Sequence, residues 1–165
     1  MDTAEQGSRT SMQRTSDREF VVTRTFAAPA RIVFEAWTRP DLFQRWWLPP
    51  SFGMKMVSCE MDVRTGGTYR LLILPPGSEQ ALPFFGRYLE VAPHSRLVWT
   101  NDEEGEGEGA VTTVTFEENG DTTLVTLRDL HPSKAALDEA MRSGSTGGYE
   151  TQFEQLERLL TSGAD

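Results

Sequence analysis

The chain has few of the residues that recognisable metal and nucleophilic sites require. It contains one cysteine, Cys59, and two histidines, His94 and His131, among 165 residues. A single thiol cannot form an internal disulfide, which favours a reducing compartment. Neither histidine has a cysteine, an aspartate or the other histidine at metal-ligand spacing, so no metal site is predicted. Both precede or follow a proline, and we expect surface or capping roles for them.

Long apolar runs and basic charge are also scarce. The longest apolar run is four residues, Leu71 to Leu74, which is too short to span a bilayer. The first eighteen residues lack the apolar stretch of a secretory signal. Lysines and arginines number 16 against 25 aspartates and glutamates, which gives a net charge of −9. The chain therefore has no excess of basic residues to contact the phosphates of a nucleic acid. These features predict an acidic cytoplasmic protein that neither binds nucleic acid nor inserts into membranes.

No set of catalytic residues can be assembled from the sequence. Cys59 has no basic neighbour that would lower its pKa, so an inert thiol is expected. The acidic, glycine-rich segment 102–109 departs from the calcium-loop pattern and is expected to be a solvated loop. The glycines at 144–148 follow a helix rather than a strand, which argues against a nucleotide loop. We therefore predict no catalytic residue, metal or cofactor.

Residue periodicity predicts the order of the elements. Residues 1–17 are polar and are expected to form a disordered tail before a single domain at 18–162. A strand is expected at Glu19–Phe26, followed by a helix after Pro29 and another over Pro40–Trp47. A period of two, broken by turns such as Asn119-Gly120, then predicts six antiparallel strands, at 54–63, 68–74, 83–92, 96–101, 110–118 and 121–130.

Helical spacing returns after residue 132. One helix is expected after Ser133, and the last one carries an apolar stripe of Tyr149, Phe153, Leu156 and Leu160. An antiparallel sheet needs its apolar face covered, and this last helix is long enough to cover it. The predicted fold class is α+β, with a strongly curved antiparallel sheet wrapped around a long C-terminal helix and space left between them.

Several motifs occur in an order that is typical of one superfamily. They are TRTFAAP at 23–29, VFEAWTRP at 33–40, RWW at 45–47, EMDVRTGG at 60–67, PFFGRYLEV at 83–91, and Pro93 with RLV at 96–98. From about Glu19 to Leu160 the chain resembles the START-like (SRPBCC) superfamily, especially the branch of homologues of the activator of the heat-shock-protein-90 ATPase. The resemblance implies a helix-grip fold with a cavity, usually apolar, between sheet and C-terminal helix. It brings no shared set of catalytic residues.

Most of the aromatic residues are expected to belong to the core, and the others to line the implied cavity or its mouth. The adjacent Trp46 and Trp47 cannot both face one core, so one of them should lie at the cavity mouth or in solvent. Strand bulges leave open which strand face looks inward. The candidate ligand-binding residues are Trp37, Trp46, Trp47, Phe52, Tyr69, Phe85, Arg87, Trp99, Met141, Tyr149 and Phe153.

Polar residues could also point inward and orient a ligand. The candidates are Arg87, Tyr88, Glu90, Arg128 and Asp129. An inward pair of an arginine and a carboxylate would be either a structural ion pair or a ligand anchor, and we favour the structural pair.

Three functions follow from this interpretation. The favoured one is a protein that binds a small apolar or aromatic molecule between the sheet and the last helix. The alternatives are a polyketide cyclase or dehydratase-like enzyme, which would need an inward polar group with a shifted pKa, and a co-chaperone or stress-response protein whose partner is a chaperone. A homodimer would suit an exposed tryptophan and a free sheet edge.

Overall fold

The computed structural model of the chain describes residues 10–48, 52–102, 109–143 and 148–161. From Glu19 onward, the order of strands and helices is the predicted one. The elements are β1 (Ser11–Arg14), β2 (Glu19–Phe26), α1 (Ala30–Thr38), α2 (Pro40–Trp47), β3 (Lys55–Met61), β4 (Thr68–Leu74), β5 (Leu82–Ala92), β6 (Arg96–Thr100), β7 (Val111–Asn119), β8 (Thr122–Leu130), α3 (Lys134–Ser143) and α4 (Gly148–Thr161).

The strands form one curved antiparallel sheet. Its order is β1-β2-β8-β7-β6-β5-β4-β3, so β3 to β8 are a meander and β2 pairs with its last strand. The register of β2 on β8 runs from Glu19 opposite Leu130 to Phe26 opposite Thr123. At the β7–β8 hairpin Gly120 has a φ of 64°, which the tight Asn-Gly turn requires. The α+β class and the helix-grip fold are thereby confirmed.

Strand β1 lies inside the segment that was expected to be disordered. Residues 11–14 pair with β2, from Ser11 opposite Thr23 to Arg14 opposite Phe20. Arg14 also lies 2.8 Å from Asp138 of α3, through its Nη1 and the carboxylate Oδ1. The prediction is wrong here because an edge strand is held by backbone pairing, which polar side chains permit and composition does not reveal. Residues 1–9 lie outside the described residues.

Three helices cover the apolar face of the sheet. Helix α4 packs against α2 and β2, while α1 packs against β7 and β8. Phe153 and Leu156 of α4 are fully buried, and the Phe153 ring lies 5.7 Å from the ring of Phe26 on β2. Pro40 opens α2, where a missing N–H costs nothing. Of the described helices, none is long and apolar enough to cross a membrane.

Candidate functional site

A cavity of about 550 Å³ lies between the sheet and the helices. Its volume is within the range of sites that hold a small organic molecule. Residues of β3 to β6 form one wall, and residues of the helices with the segments beside them form the other. The described lining residues are Trp37, Phe43, Trp47, Leu48, Phe52, Met54, Met61, Tyr69, Leu71, Ile73, Phe84, Tyr88, Trp99, Asn101, Ser143, Gly148 and Gln152.

Some of the candidate ligand-binding residues meet in this cavity. They are Trp37, Trp47, Phe52, Tyr69 and Trp99, which come from five separate parts of the chain. Contact of these residues with a ligand stays a prediction. Their side chains were recognisable as candidates because large aromatic groups were numerous near the two short helices and on the central strands.

The remaining candidates lie elsewhere, and the structure corrects their placement. Trp46 and Phe153 are fully buried in the core, which fills the space under α4. Phe85 and Met141 are exposed instead. Arg87 points outward and pairs with Asp102, and Tyr149 binds Asp129 behind the cavity wall.

Trp37 is the centre of the aromatic cluster beside the cavity. Its ring lies 4.7 Å from that of Trp46 and 6.0 Å from that of Phe153, both in edge-to-face contact. Trp99 lies 6.0 Å away on the sheet side, with its ring tilted. The indole Nε1 of Trp37 is buried and has no hydrogen-bond partner among the described residues. Such contacts stabilise the wall, since aromatic pairs prefer offset and perpendicular geometries.

The polar groups of the wall are mostly engaged with the main chain. The Tyr69 hydroxyl donates to the Thr100 carbonyl at 2.8 Å. Asn101 donates through Nδ2 to the Ala110 carbonyl at 2.8 Å. Gln152 of α4 donates through Nε2 to the Trp47 carbonyl at 2.7 Å. None of the described lining residues carries a formal charge.

Tyr88 differs from these residues because its hydroxyl has no hydrogen-bond partner among the described residues. The residue is 5% exposed and lines the cavity. Burial raises the pKa of its phenol, and the nearby Cys59 and Asp62 add to the rise. The phenol is therefore a neutral group on a cavity-lining residue, and no described residue uses its hydrogen-bonding capacity.

A buried carboxyl lies behind the wall. Asp129 on β8 accepts a hydrogen bond of 2.6 Å from the Thr112 hydroxyl, which in turn accepts one of 3.1 Å from Asn101. The hydroxyl of Tyr149 donates to the other carboxylate oxygen. Burial raises the pKa of Asp129, while these two hydroxyls and the charge of His131 oppose the rise. Asp129, a candidate for a polar residue that points inward, therefore connects β8 to α4 and is not among the residues that line the cavity.

The other inward candidates lie on the outer surface. Glu90 is paired there with Arg96 at 3.1 Å, and Arg128 with Glu19 at 3.5 Å. The interior pair was missed by the sequence analysis. It joins Arg24 of β2 to Glu157 of α4 at 3.6 Å, away from the cavity lining. Neither the period of two in β2 nor the period of 3.6 in α4 indicates that these two charges meet.

The two histidines and the cysteine lie in different surroundings among the described residues. His94 is exposed in the β5–β6 turn, whereas His131 is 7% exposed, so of the expected surface or capping roles the surface role is wrong for His131. The main chain of His131 is fixed by Arg18, whose carbonyl accepts from the His131 N–H at 2.7 Å. Burial raises the pKa of Cys59 to about 11. Within the described ranges, no three histidine, cysteine or carboxylate side chains cluster closely enough to hold a metal ion.

The glycine-rich and acidic loops fall largely outside the described residues. Positions 103–108 and 144–147 lie outside the described residues, so the expected solvated loop and the expected bend stay predictions.

Solved structures with the same fold share little sequence with this chain. A protein of Rhodobacter sphaeroides has a TM-score of 0.83 at 20% identity, covering 93% of this chain and 99% of that chain. A protein of Nitrosomonas europaea has a TM-score of 0.80 at 23% identity, covering 90% and 97%. The AHSA1-like protein from Aeromonas hydrophila has a TM-score of 0.67 at 17% identity, covering 88% and 95%. At such identities the likeness concerns the fold alone.

No curated protein matches the sequence. The family profile described as Activator of Hsp90 ATPase homolog 1-like protein matches residues 27–161, which contain all the described helices and strands β3 to β8. The resemblance found in the motifs is thereby confirmed. The chain belongs to the Activator of Hsp90 ATPase homolog 1-like family, a branch of the SRPBCC superfamily.

Proposed function

We propose that the protein binds a small apolar or aromatic molecule in the cavity between the sheet and α4. The observation that supports this is an open space of about 550 Å³ beside a core in which Trp46 and Phe153 are fully buried. An unfilled apolar cavity costs stability because its lining atoms lose dispersion contacts. A bound molecule would restore those contacts over aromatic walls such as Trp47 and Trp99.

The chemistry of the described walls favours binding over the cyclase-type alternative. The ionisable groups among the described lining residues are the phenols of Tyr69 and Tyr88. Acid–base catalysis works best with a group whose pKa lies near the working pH, and burial raises the pKa of Tyr88 away from it. A neutral wall suits an apolar ligand, which needs no charged partner.

A cavity-filling substitution tests the proposal. Met61 lines the cavity from β3, whereas Val57 on the same strand is 53% exposed. We expect Met61→Trp to abolish the fluorescence gain of the neutral probe N-phenylnaphthylamine, and Val57→Trp to leave it unchanged. Native mass spectrometry of protein from its own source should detect a bound compound in the wild type and in Val57→Trp, but not in Met61→Trp. Absence of probe binding to the wild type, or equal binding to both variants, would contradict the proposal.

A further inference from the structure

We propose that the cavity selects uncharged, hydroxylated aromatic compounds, which are held by the hydroxyl of Tyr88 and the side-chain carbonyl of Gln152. This inference rests on the proposed function, because it concerns the same cavity. It specifies the chemical class of the ligand and names the two residues that select this class. Three observations carry it: a free donor on the sheet, a free acceptor on α4, and described walls without charge.

The free donor is the Tyr88 hydroxyl on β5. Tyr88 lines the cavity and is 5% exposed as a residue, and its hydroxyl is not among the fully enclosed polar atoms. Tyr69, the neighbouring tyrosine in the wall, lies 5.7 Å away between ring centroids and already donates its proton to Thr100. The two phenols therefore differ in availability: that of Tyr88 can donate to a ligand oxygen, whereas that of Tyr69 is committed to the main chain.

The free acceptor is Oε1 of Gln152 on α4. Its Nε2 is fixed by the bond to the Trp47 carbonyl, which orients the amide. No described donor contacts Oε1, although the residue is 8% exposed and lines the cavity. The hydrogen-bonding capacity of this carbonyl is therefore not used by any described residue. A donor group on a ligand would supply the missing hydrogen bond.

A neutral hydroxyl group fits both residues. Such a group can accept a hydrogen bond from Tyr88 or donate one to Gln152, whereas a hydrocarbon leaves the two groups unpaired. A carboxylate would lose its hydration and find no cation among the described lining residues. A site whose polar groups await a partner discriminates against analogues that lack it.

Three probes with the same ring system test the selectivity. The probes are pyrene, hydroxypyrene and pyrenecarboxylate, each of which accepts excitation energy from tryptophan. Because Trp37, Trp47 and Trp99 line the cavity, energy transfer measures the affinity of each probe. At a pH where hydroxypyrene is neutral, we expect it to bind about five- to tenfold more tightly than pyrene, and pyrenecarboxylate to bind most weakly.

Substitutions then assign the selectivity to the two residues. Tyr88→Phe and Gln152→Leu are each expected to reduce severalfold the ratio of hydroxypyrene affinity to pyrene affinity. The matched control is Tyr69→Phe, which removes a phenol that is already engaged and should keep the preference.

The outcomes separate the two proposals. Equal affinity for pyrene and hydroxypyrene in the wild type, tighter binding of pyrenecarboxylate, or loss of the preference in Tyr69→Phe alone would overturn the selectivity while leaving a binding cavity. Absence of binding of all three probes would overturn the proposed function itself.

Discussion

The hydroxyl of Tyr149, in the first turn of α4, donates a hydrogen bond to the buried carboxyl of Asp129 at the end of β8. The other oxygen of Asp129 accepts a bond of 2.6 Å from Thr112 on β7. On either side of Tyr149, Gly148 and Gln152 line the cavity. The carboxyl therefore fixes the beginning of α4 to the sheet, and with it one wall of the site.

Loss of this link should reduce stability. We expect Tyr149→Phe to lower the free energy of unfolding by about 1–3 kcal/mol, because a buried carboxyl loses a hydrogen-bond donor. The matched control is Tyr88→Phe, which removes a hydroxyl with no partner among the described residues and should change stability by about 0.5 kcal/mol or less. Urea denaturation of both variants measures the difference. Equal losses would mean that the Tyr149 hydroxyl does not anchor the helix.

The pH dependence of stability should carry the signature of Asp129. Burial raises its folded-state pKa above the ordinary 3.8, so the unfolded chain ionises first as the pH rises. Between the unfolded and folded pKa values the wild type therefore loses stability. Asp129→Asn cannot ionise, so its stability relative to the wild type is expected to improve as the pH rises through that interval. Urea denaturation at a series of pH values measures this trend.

Asp138 provides a control of opposite sign. Hydrogen bonds from Lys134 and Arg14 lower the pKa of its carboxyl below 3.8. Its contribution to stability is present above that value and is lost as the pH falls through the folded pKa. Asp138→Asn should therefore cost most near neutral pH and least in acid. Parallel trends for the two asparagine variants would contradict the assignment of either shift.

Local patterns were enough to predict most of the fold. The Asn119-Gly120 turn marks the β7–β8 hairpin, and the spacing of Phe153 and Leu156 marks the buried stripe of α4. Such signals lie within a few neighbouring residues. Strand β1 had no comparable signal, because its stability depends on pairing with β2 rather than on burial of its own side chains.

The site was harder to predict because β5 has aromatic residues on both faces. Phe84 and Tyr88 face the cavity, whereas Phe85 faces outward, and the alternation alone does not distinguish the two choices. A bulge follows, since Tyr88 pairs with Trp99 but Glu90 pairs with Val98. One extra residue reverses the facing of all that follow, so Glu90 turns outward. Bulges depend on strand pairing, which the sequence of one strand does not encode.

Gly86 allows β5 and β6 to approach closely beside the site. A Cβ at this position would lie 2.0 Å from the Thr100 carbonyl oxygen and 2.9 Å from the Tyr69 ring. That carbonyl is the acceptor of the Tyr69 hydroxyl. We expect Gly86→Ala to lower the free energy of unfolding by about 1–3 kcal/mol through overpacking and to weaken binding of a neutral aromatic probe.

A second glycine separates the local clash from general backbone strain. Gly77 has a φ of 75°, and a Cβ there would meet nothing within 4 Å. Gly77→Ala should cost about 1–2 kcal/mol of strain and leave probe binding unchanged. Denaturation and fluorescence titration measure both effects. Wild-type binding by Gly86→Ala would contradict the role of this close approach.

The adjacent Trp46 and Trp47 are expected to have different roles: Trp46 stabilises the fold, and Trp47 contacts the ligand. Trp46 is fully buried and donates through Nε1 to the Ala36 carbonyl at 2.8 Å, whereas Trp47 is half-buried, stacks on Phe43 at 4.8 Å and lines the cavity. Trp46→Ala should cost about 3–5 kcal/mol of stability, since it empties a packed core position and removes a buried hydrogen bond.

Trp47→Ala should cost less stability, because part of its ring is already exposed, but it should weaken binding of a neutral aromatic probe severalfold. Thermal denaturation and probe titration of the two variants check the division. A Trp46 variant that remains stable yet loses the probe would place the ligand against the core instead. A Trp47 variant with wild-type affinity would remove this helix from the binding wall.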